Sequence, residues 1–183
     1  MTRKLLDDCF LHDSERLTHA EAIAILRERI APVTGVEQVP VDAASGRVLA
    51  ADVIAPRDIP AHTNSAVDGY AFAFADYDAD MGSTFTVSAR AAAGHAASDS
   101  IEQGTAARIF TGAALPDVLD SVVMQEDTDC ETRDGQIRVA IPGGLRQGTN
   151  RRLAGEDVKK GAAILTAGCR LRPQEAACAA AAA

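Results

Sequence analysis

Residues 60–71 read PAHTNSAVDGYA, and polar or turn-forming side chains crowd into this stretch. Asp68-Gly69 can turn sharply, because Gly takes positive φ without penalty and Asp tolerates it. Asn64, Ser65 and Asp68 place an amide, a hydroxyl and a carboxylate close together in the chain. Such a stretch either folds the chain back on itself or presents polar groups to a ligand.

The composition excludes several classes of protein. The 183 residues fit one large domain or two small ones, and 18 basic against 26 acidic residues give a net charge of −8. That charge argues against a nucleic-acid or anionic membrane partner, and no run reaches the ~18 apolar residues of a membrane helix. The N-terminus lacks the apolar region of a signal peptide. Four cysteines without a CxxC pair fit a reducing, cytoplasmic location.

One amphipathic helix is predicted over residues 20–30. Thr18 and Glu21 have the spacing of a capping box, in which each side chain bonds the backbone of the other residue. Apolar residues recur at helical spacing behind them, and Pro32 ends the run. A helix this short is marginal alone, so we expect its apolar face to need a partner.

Beyond residues 60–71 the pattern is typical of β-structure. Asp134-Gly135 lies between two apolar runs and predicts a hairpin. The spacing of ~10–15 residues between runs favours an all-β unit over βαβ units, which need helices between strands. A helix is expected after Pro173, over residues 174–183. The predicted strands are 36–41, 52–54, 70–74, 84–89, 106–110, 121–126, 136–141, 162–165 and 169–171.

These elements predict an α+β, mostly β fold. Its sheets are expected to be small and coiled, with an inserted β-barrel-like domain. The Ala-rich helix at the end has nothing to pack on, so we expect the chain to continue into a truncated third domain. The predicted layout is a flexible tail (1–17), a discontinuous domain (18–51 and 143–172), an inserted β domain (52–142) and the start of the third domain (173–183).

Two candidate sites lie in the β region. In residues 64–71, Ser65 and Asp68 can face a ligand, or the polar side chains can satisfy their own turn. At Thr111-Gly112, after a predicted strand, a hydroxyl and a free amide can meet an anion. The alternative there is an ordinary transition from strand to loop.

A third candidate site combines Glu156 and Asp157 with Arg151 and Arg152. Adjacent carboxylates can hold Mg²⁺ together with water, and arginines grip phosphate through paired hydrogen bonds. The alternative is a solvated hairpin with surface ion pairs. The sequence contains no P-loop, GxSxG or HExxH motif, so the corresponding enzyme classes receive no support.

Taken in order, these motifs resemble the N-terminal region of the MoeA/gephyrin family, the molybdopterin molybdenumtransferases. The similarity runs from about Thr18 to the end of the chain, and several ordered motifs are more specific than any one of them. The motifs are 39–50 (VPVDAASGRVLA), 64–71 (NSAVDGYA), 108–113 (RIFTGA), 122–126 (VVMQE), 150–152 (NRR) and 155–157 (GED).

The resemblance implies an enzyme that inserts molybdenum from molybdate into adenylylated molybdopterin, with a cation such as Mg²⁺, and releases AMP. It also implies an elongated homodimer, with residues 18–51 and 143–172 serving dimerisation, and an active site across a cleft, largely in a domain after Pro173. A molybdopterin adenylyltransferase is then a possible partner. The alternatives are a non-catalytic dimerising scaffold, as in the gephyrin branch, and a free-standing β module.

The motifs of the family assign roles to individual residues. They imply catalytic roles for Asp68, Thr111 and Asp157, with Asp68 and Asp157 also as metal ligands. Ser65, Arg151 and Arg152 are the candidates for contacting the bound cofactor substrate. Because the pterin-binding domain lies outside these residues, we expect the chain alone to be inactive and to bind little Mg²⁺.

Overall fold

The computed structural model describes residues 17–95 and 101–182 of the chain. The chain divides into two compact units, with the boundary between Gln38 and Val39. The predicted tail, residues 1–17, lies outside the described residues except for Leu17. In the part of the chain that is described, no helix is long and apolar enough to cross a membrane.

The first unit contains helix α1, His19–Arg29, and confirms the predicted helix. Its N-terminus is a capping box: the Glu21 amide donates to Thr18 Oγ1 at 3.3 Å, and the Thr18 amide donates to Glu21 Oε2 at 2.7 Å. The Thr18 amide and hydroxyl, which both donate to Glu21 Oε2, lower the pKa of Glu21. No side chain of α1 is buried, with Leu26 half exposed. A dimerisation role for this helix stays a prediction.

The strand predicted at residues 36–41 is wrong. Residues 36–40 form no hydrogen-bonded ladder, and a single 3-10 turn, Val41–Ala43, follows them. Pro40 removes a backbone donor at the point where a strand would need one, which favours the turn. The strand predicted at 169–171 is reduced to one isolated bridge between Val48 and Arg170.

The second unit is mostly β, as predicted. Ten strands and one helix make up its regular structure in the described residues. They are β1 Val53–Ile54, β2 Asn64–Ser65, β3 Gly69–Phe72, β4 Ser83–Ala91, β5 Thr105–Ile109, β6 Ser121–Met124, β7 Asp129–Arg133, β8 Gln136–Ile141, β9 Arg151–Arg152, β10 Ala163–Leu165 and α2 Pro173–Ala182.

Six strands form the main sheet, in the order β6-β3-β5-β4-β8-β7. β6 and β7 stand at its two edges, so the described strands form an open sheet and a barrel is not confirmed. β4 and β5 pair in parallel, an arrangement that the sequence did not predict. Parallel neighbours need a connection of a dozen or more residues, and the chain between Ala91 and Thr105 is long enough for one.

Side chains on alternate positions of the sheet enter two hydrophobic clusters. Ala71 of β3 belongs to one cluster and Phe72 to the other, because successive side chains of a strand point to opposite faces. Ile109 and Val122 fill the first cluster. The second is aromatic: the rings of Phe72 and Tyr77 lie 5.1 Å apart, and those of Phe72 and Phe85 lie 5.8 Å apart.

The predicted hairpin at Asp134-Gly135 is confirmed between β7 and β8. Both turn residues have positive φ, 53° and 79°, which a two-residue hairpin turn of this hand requires. The sequence did not predict β7 itself, since all five of its side chains are exposed and polar residues dominate it.

Two short ladders tie the region before the main sheet to the region after it. β1 pairs with β10, and β2 pairs with β9, both antiparallel. A further bridge joins Ile59 to Val158. These ladders fix the loop of residues 60–68 against residues 150–158, and this places the candidate site residues.

Candidate functional site

The loop that carries Asp68 is folded by Ser65. Ser65 is buried, with 1% of its surface exposed, and its hydroxyl donates to the Val67 carbonyl at 2.6 Å. The Val67 amide donates back to the same hydroxyl at 3.3 Å. Ser65 therefore satisfies its own turn, the alternative that the sequence left open for this stretch. Its role toward a cofactor stays a prediction.

Gly69 fixes where Asp68 lies, because β3 passes unusually close to β6. A Cβ atom at Gly69 would lie 1.8 Å from the carbonyl oxygen of Val123. Gly69 pairs with Ile109 on β5 and with Met124 on β6. This register places Asp68 beside the end of β5, where Thr111 begins the next loop.

Asp68 and Thr111 form the first polar pair of the site. One carboxylate oxygen, Asp68 Oδ1, accepts from the Thr111 hydroxyl at 2.6 Å and from the Thr111 amide at 2.8 Å. These two bonds, with a smaller contribution from the charge of Arg108, lower the pKa of Asp68. The second oxygen, Oδ2, accepts no hydrogen bond from the described residues. The pair leaves an ionised carboxylate with one free oxygen.

The amides after β5 are not free for an anion. Thr111 gives its amide to Asp68, and the Gly112 amide donates to the Ser65 carbonyl at 2.8 Å. The Ala113 amide closes a turn on Phe110 at 2.9 Å. This corrects the expectation of a free amide at Thr111-Gly112: the backbone donors hold the loop, and the Thr111 hydroxyl holds Asp68.

Arg152 and Asp157 form the second polar pair. Arg152 Nη2 donates to Asp157 Oδ1, and Arg152 Nε lies 3.5 Å from Glu156 Oε1. Bonding to Asp157 raises the pKa of Arg152. The side chains of Arg152 and Asp157 are 39% and 50% exposed, so this is the surface ion pair that the sequence held open as an alternative.

Arg151 faces a different carboxylate, that of Asp120. Burial raises the pKa of Asp120, but hydrogen bonds from Gln147, Phe74 and Ser121, together with the charge of Arg151, bring it below its ordinary value. The Phe74 amide and Gln147 Nε2 lie 2.8 and 2.6 Å from the two Asp120 oxygens. Arg151 therefore lies within reach of a half-buried carboxylate network.

The two polar pairs are joined through the backbone. Asn64 and Ser65 pair with Arg152 and Arg151 across the β2–β9 ladder. The Ala66 amide also donates to the Asn150 carbonyl at 2.9 Å. In the described part of the chain, no hydrogen bond or ion pair links Asp68 directly to Asp157.

A complete Mg²⁺ site does not fit these residues by themselves. Mg²⁺ demands near-octahedral oxygen coordination, and the described residues contain no group of three His, Cys, Asp or Glu that could hold a metal. One oxygen of Asp68 is engaged by Thr111, and one oxygen of Asp157 by Arg152. Any metal here would need most of its ligands from outside these side chains.

Three residues that lie in the sequence motifs, but were given no role there, contribute to the site. Arg108 and Gln125 contact the backbone around Asp68, and Asn150 links Val122 to the Asp68 loop. Asn150 adopts positive φ, 52°, and Asn is one of the few residues that tolerates this conformation. Their places in the motifs of residues 108–113, 122–126 and 150–152 were the sequence signal for them.

Relatives with assigned names match most of the chain. The molybdopterin molybdenumtransferase of Haemophilus influenzae is 34% identical over 158 residues, 86% of this chain and 38% of the relative. That of a Nostoc species is 38% identical over 138 residues, 74% of this chain and 31% of the relative. The chain thus spans less than two fifths of the length of these relatives.

A solved structure has the same fold. The crystal structure of the molybdopterin biosynthesis MoeA protein from Pyrococcus horikoshii superposes with a TM-score of 0.77 at 34% identity, covering 89% of this chain and 43% of that one. The family model described as the MoeA N-terminal region, domains I and II, matches residues 17–183. The motifs around Asp68, Thr111 and Asp157 lie within that match. The chain therefore belongs to the MoeA N-terminal region family.

Proposed function

We propose that this chain supplies one wall of the active site of a molybdenumtransferase, which inserts molybdenum from molybdate into adenylylated molybdopterin and releases AMP. The relatives are molybdopterin molybdenumtransferases, which supports a role in molybdenum cofactor biosynthesis. The observation that carries the proposal is the Asp68–Thr111 pair, which keeps a carboxylate ionised, oriented and half free on a braced loop.

Asp68 would act toward a ligand through its free Oδ2. An ionised oxygen can accept a hydrogen bond from a ligand donor or orient a water molecule toward the bond to AMP. Thr111 would act through Asp68, because its hydroxyl and amide already bond that carboxylate. Both residues lie at the end of a packed sheet, and this limits their movement.

The remaining site residues keep the roles proposed from the sequence, with constraints from the geometry. Arg152 would have to release Asp157 before either group met substrate phosphate or metal. Arg151 would contact phosphate from its place near Asp120. Ser65, being buried, would shape the loop that meets the cofactor substrate. We expect weak Mg²⁺ binding until substrate oxygens add ligands.

We also propose that the protein is a cytoplasmic homodimer, which can meet a molybdopterin adenylyltransferase partner. Exposed apolar side chains in the first unit support an association surface: Leu26, Ile30, Val33 and Val36 are 50%, 69%, 99% and 81% exposed. Sedimentation of the 183-residue chain tests this directly. A strict monomer at all concentrations would contradict the dimer.

A second candidate function is a dimerising scaffold without catalysis in this region. The Arg152–Asp157 ion pair and the Ser65 turn favour it, since all three side chains bond to groups within the protein. Under this alternative, variants of Asp68, Thr111 and Asp157 would be silent. Only variants that break the dimer would then affect function.

The experiment replaces the aligned N-terminal region of the Haemophilus influenzae relative with this chain and measures molybdenum incorporation into molybdopterin. Asp68→Asn keeps the size of the side chain and removes its charge, so we expect activity to fall by about 10²-fold. Asp129→Asn, the same change on the exposed edge strand β7, is the matched control and should retain activity. Full activity in the Asp68→Asn chimera would overturn the proposal.

A further inference from the structure

Arg108 lies over two aromatic rings. Its guanidinium carbon is 5.0 Å from the centroid of the Tyr70 ring and 4.6 Å from that of the Phe110 ring. Tyr70 and Arg108 are cross-strand partners on β3 and β5, so the strand register itself brings these two side chains together. A planar cation that contacts two rings has restricted freedom to turn.

The hydrogen bonds of Arg108 go to two residues that adjoin Asp68: the backbone of Gly69 and the side chain of Gln125. Arg108 Nη1 donates to the Gly69 carbonyl at 2.8 Å, and Nη2 donates to Gln125 Oε1. The Gln125 amide in turn donates to the Asp68 carbonyl at 3.0 Å. The peptide groups of Asp68 and Gly69 are thus held directly by Gln125 and Arg108, and Arg108 also holds Gln125. The two Nη atoms of Arg108 already have protein acceptors, so the stacked guanidinium is committed to this frame.

We propose that Arg108 is a positioning residue for Asp68: it fixes the backbone that carries the carboxylate, without itself contacting a ligand. Its effect on Asp68 is a property of this chain alone. Its effect on molybdenum transfer rests on the proposed function, so the two can be measured separately.

The first measurement is hydrogen exchange of the Gln125 amide, which bonds the Asp68 carbonyl, in the 183-residue chain. Arg108→Met removes the hydrogen bonds to Gly69 and Gln125 but keeps an unbranched side chain, so we expect this exchange to be faster by about tenfold. Arg108→Lys keeps one donor group and should give an exchange rate between those of the native and Arg108→Met chains. Arg90→Met is the matched control, because Arg90 lies opposite Arg108 on β4, stacks on Phe110 at 4.9 Å, is exposed, and bonds neither Gly69 nor Gln125.

A second variant tests the same backbone contact and does not require the Arg108→Met chain to fold. Gln125→Leu keeps Arg108 but removes its Nη2 acceptor, so we expect exchange of the residue-125 amide, which bonds Asp68, to be faster by about tenfold. Equal exchange of the Gln125 amide in the Arg108→Met and Arg90→Met chains, or unchanged exchange in Gln125→Leu, would overturn the inference.

Activity separates this inference from the proposed function. In the chimera, Arg108→Met should lower kcat for molybdenum incorporation with little change in KM, because Arg108 orients Asp68 without contacting a ligand. Faster amide exchange with an unchanged kcat would support positioning by Arg108 and contradict the use of Asp68 in the reaction.

Discussion

The Asp68–Thr111 and Arg152–Asp157 pairs both place a carboxylate at the candidate site, but they are held differently. Asp68 and Thr111 are 43 residues apart and meet because β3 and β5 pair in one register. Arg152 and Asp157 are five residues apart and meet within one turn of chain. The first pair uses neutral donors and leaves the charge of Asp68 in place, whereas the second neutralises Asp157. Each pair engages one carboxylate oxygen, but only the first leaves the negative charge without a bonded cation.

The largest expected effect comes from Gly69, on which the first pair depends. Gly69→Ala places a Cβ atom 1.8 Å from the Val123 carbonyl oxygen, so β3 must move away from β6. We expect the free energy of unfolding, measured by urea titration, to fall by about 3 kcal/mol. Gly35→Ala is the control, because its Cβ meets no atom within 4 Å. Equal stability of the two variants would show that the close approach is unimportant.

Asn150 tests the connection between the two pairs. Asn150→Gly keeps the positive φ but loses the 3.0 Å bond from the side-chain amide to the Val122 carbonyl, which costs about 1 kcal/mol. Asn150→Ala loses the same bond and is also strained at this φ, so we expect a total loss of stability of about 2 kcal/mol. Denaturant unfolding measures both. If Asn150→Gly were less stable than Asn150→Ala, the positive φ at this position would be unimportant for stability.

The pH dependence of stability in Thr111 variants tests the first pair. The folded-state pKa of Asp68 lies below its ordinary value of 3.8, so the stabilisation exists above about pH 4 and is lost as pH falls through the folded-state pKa. Thr111→Val removes the hydroxyl and raises the Asp68 pKa toward the unfolded value. It should therefore be less stable than the native chain at neutral pH, with the difference vanishing in acid. Thr111→Ser keeps the hydroxyl and should follow the native pH dependence.

The smallest effect is expected for the second pair. Arg152→Gln and Asp157→Asn, measured singly and together, give the coupling between the two side chains. Because both are substantially exposed, the coupling should be the weakest of this series and should decrease further with added salt. A strong, salt-independent coupling would indicate that the surrounding loop shields this pair from solvent.

The part of the fold that rests on neighbouring residues was predictable. The capping box of Thr18 and Glu21, the turn at Asp134-Gly135 and the helix after Pro173 each depend on side chains a few positions apart. The buried strands followed from short apolar runs. Exposed β7 escaped because polar side chains give no such signal, and the domain boundaries remain a prediction.

The sequence by itself determined the capped helix, the turns, most of the strands and the motifs that imply the family. Only the tertiary structure decided that Thr111 serves Asp68, that Ser65 is buried, that β4 and β5 run parallel and that Arg108 braces the loop. The physical reason is the range of the forces involved. Turns and caps are closed by bonds between near neighbours, whereas strand register follows from burying two faces at once and from the close approach at Gly69.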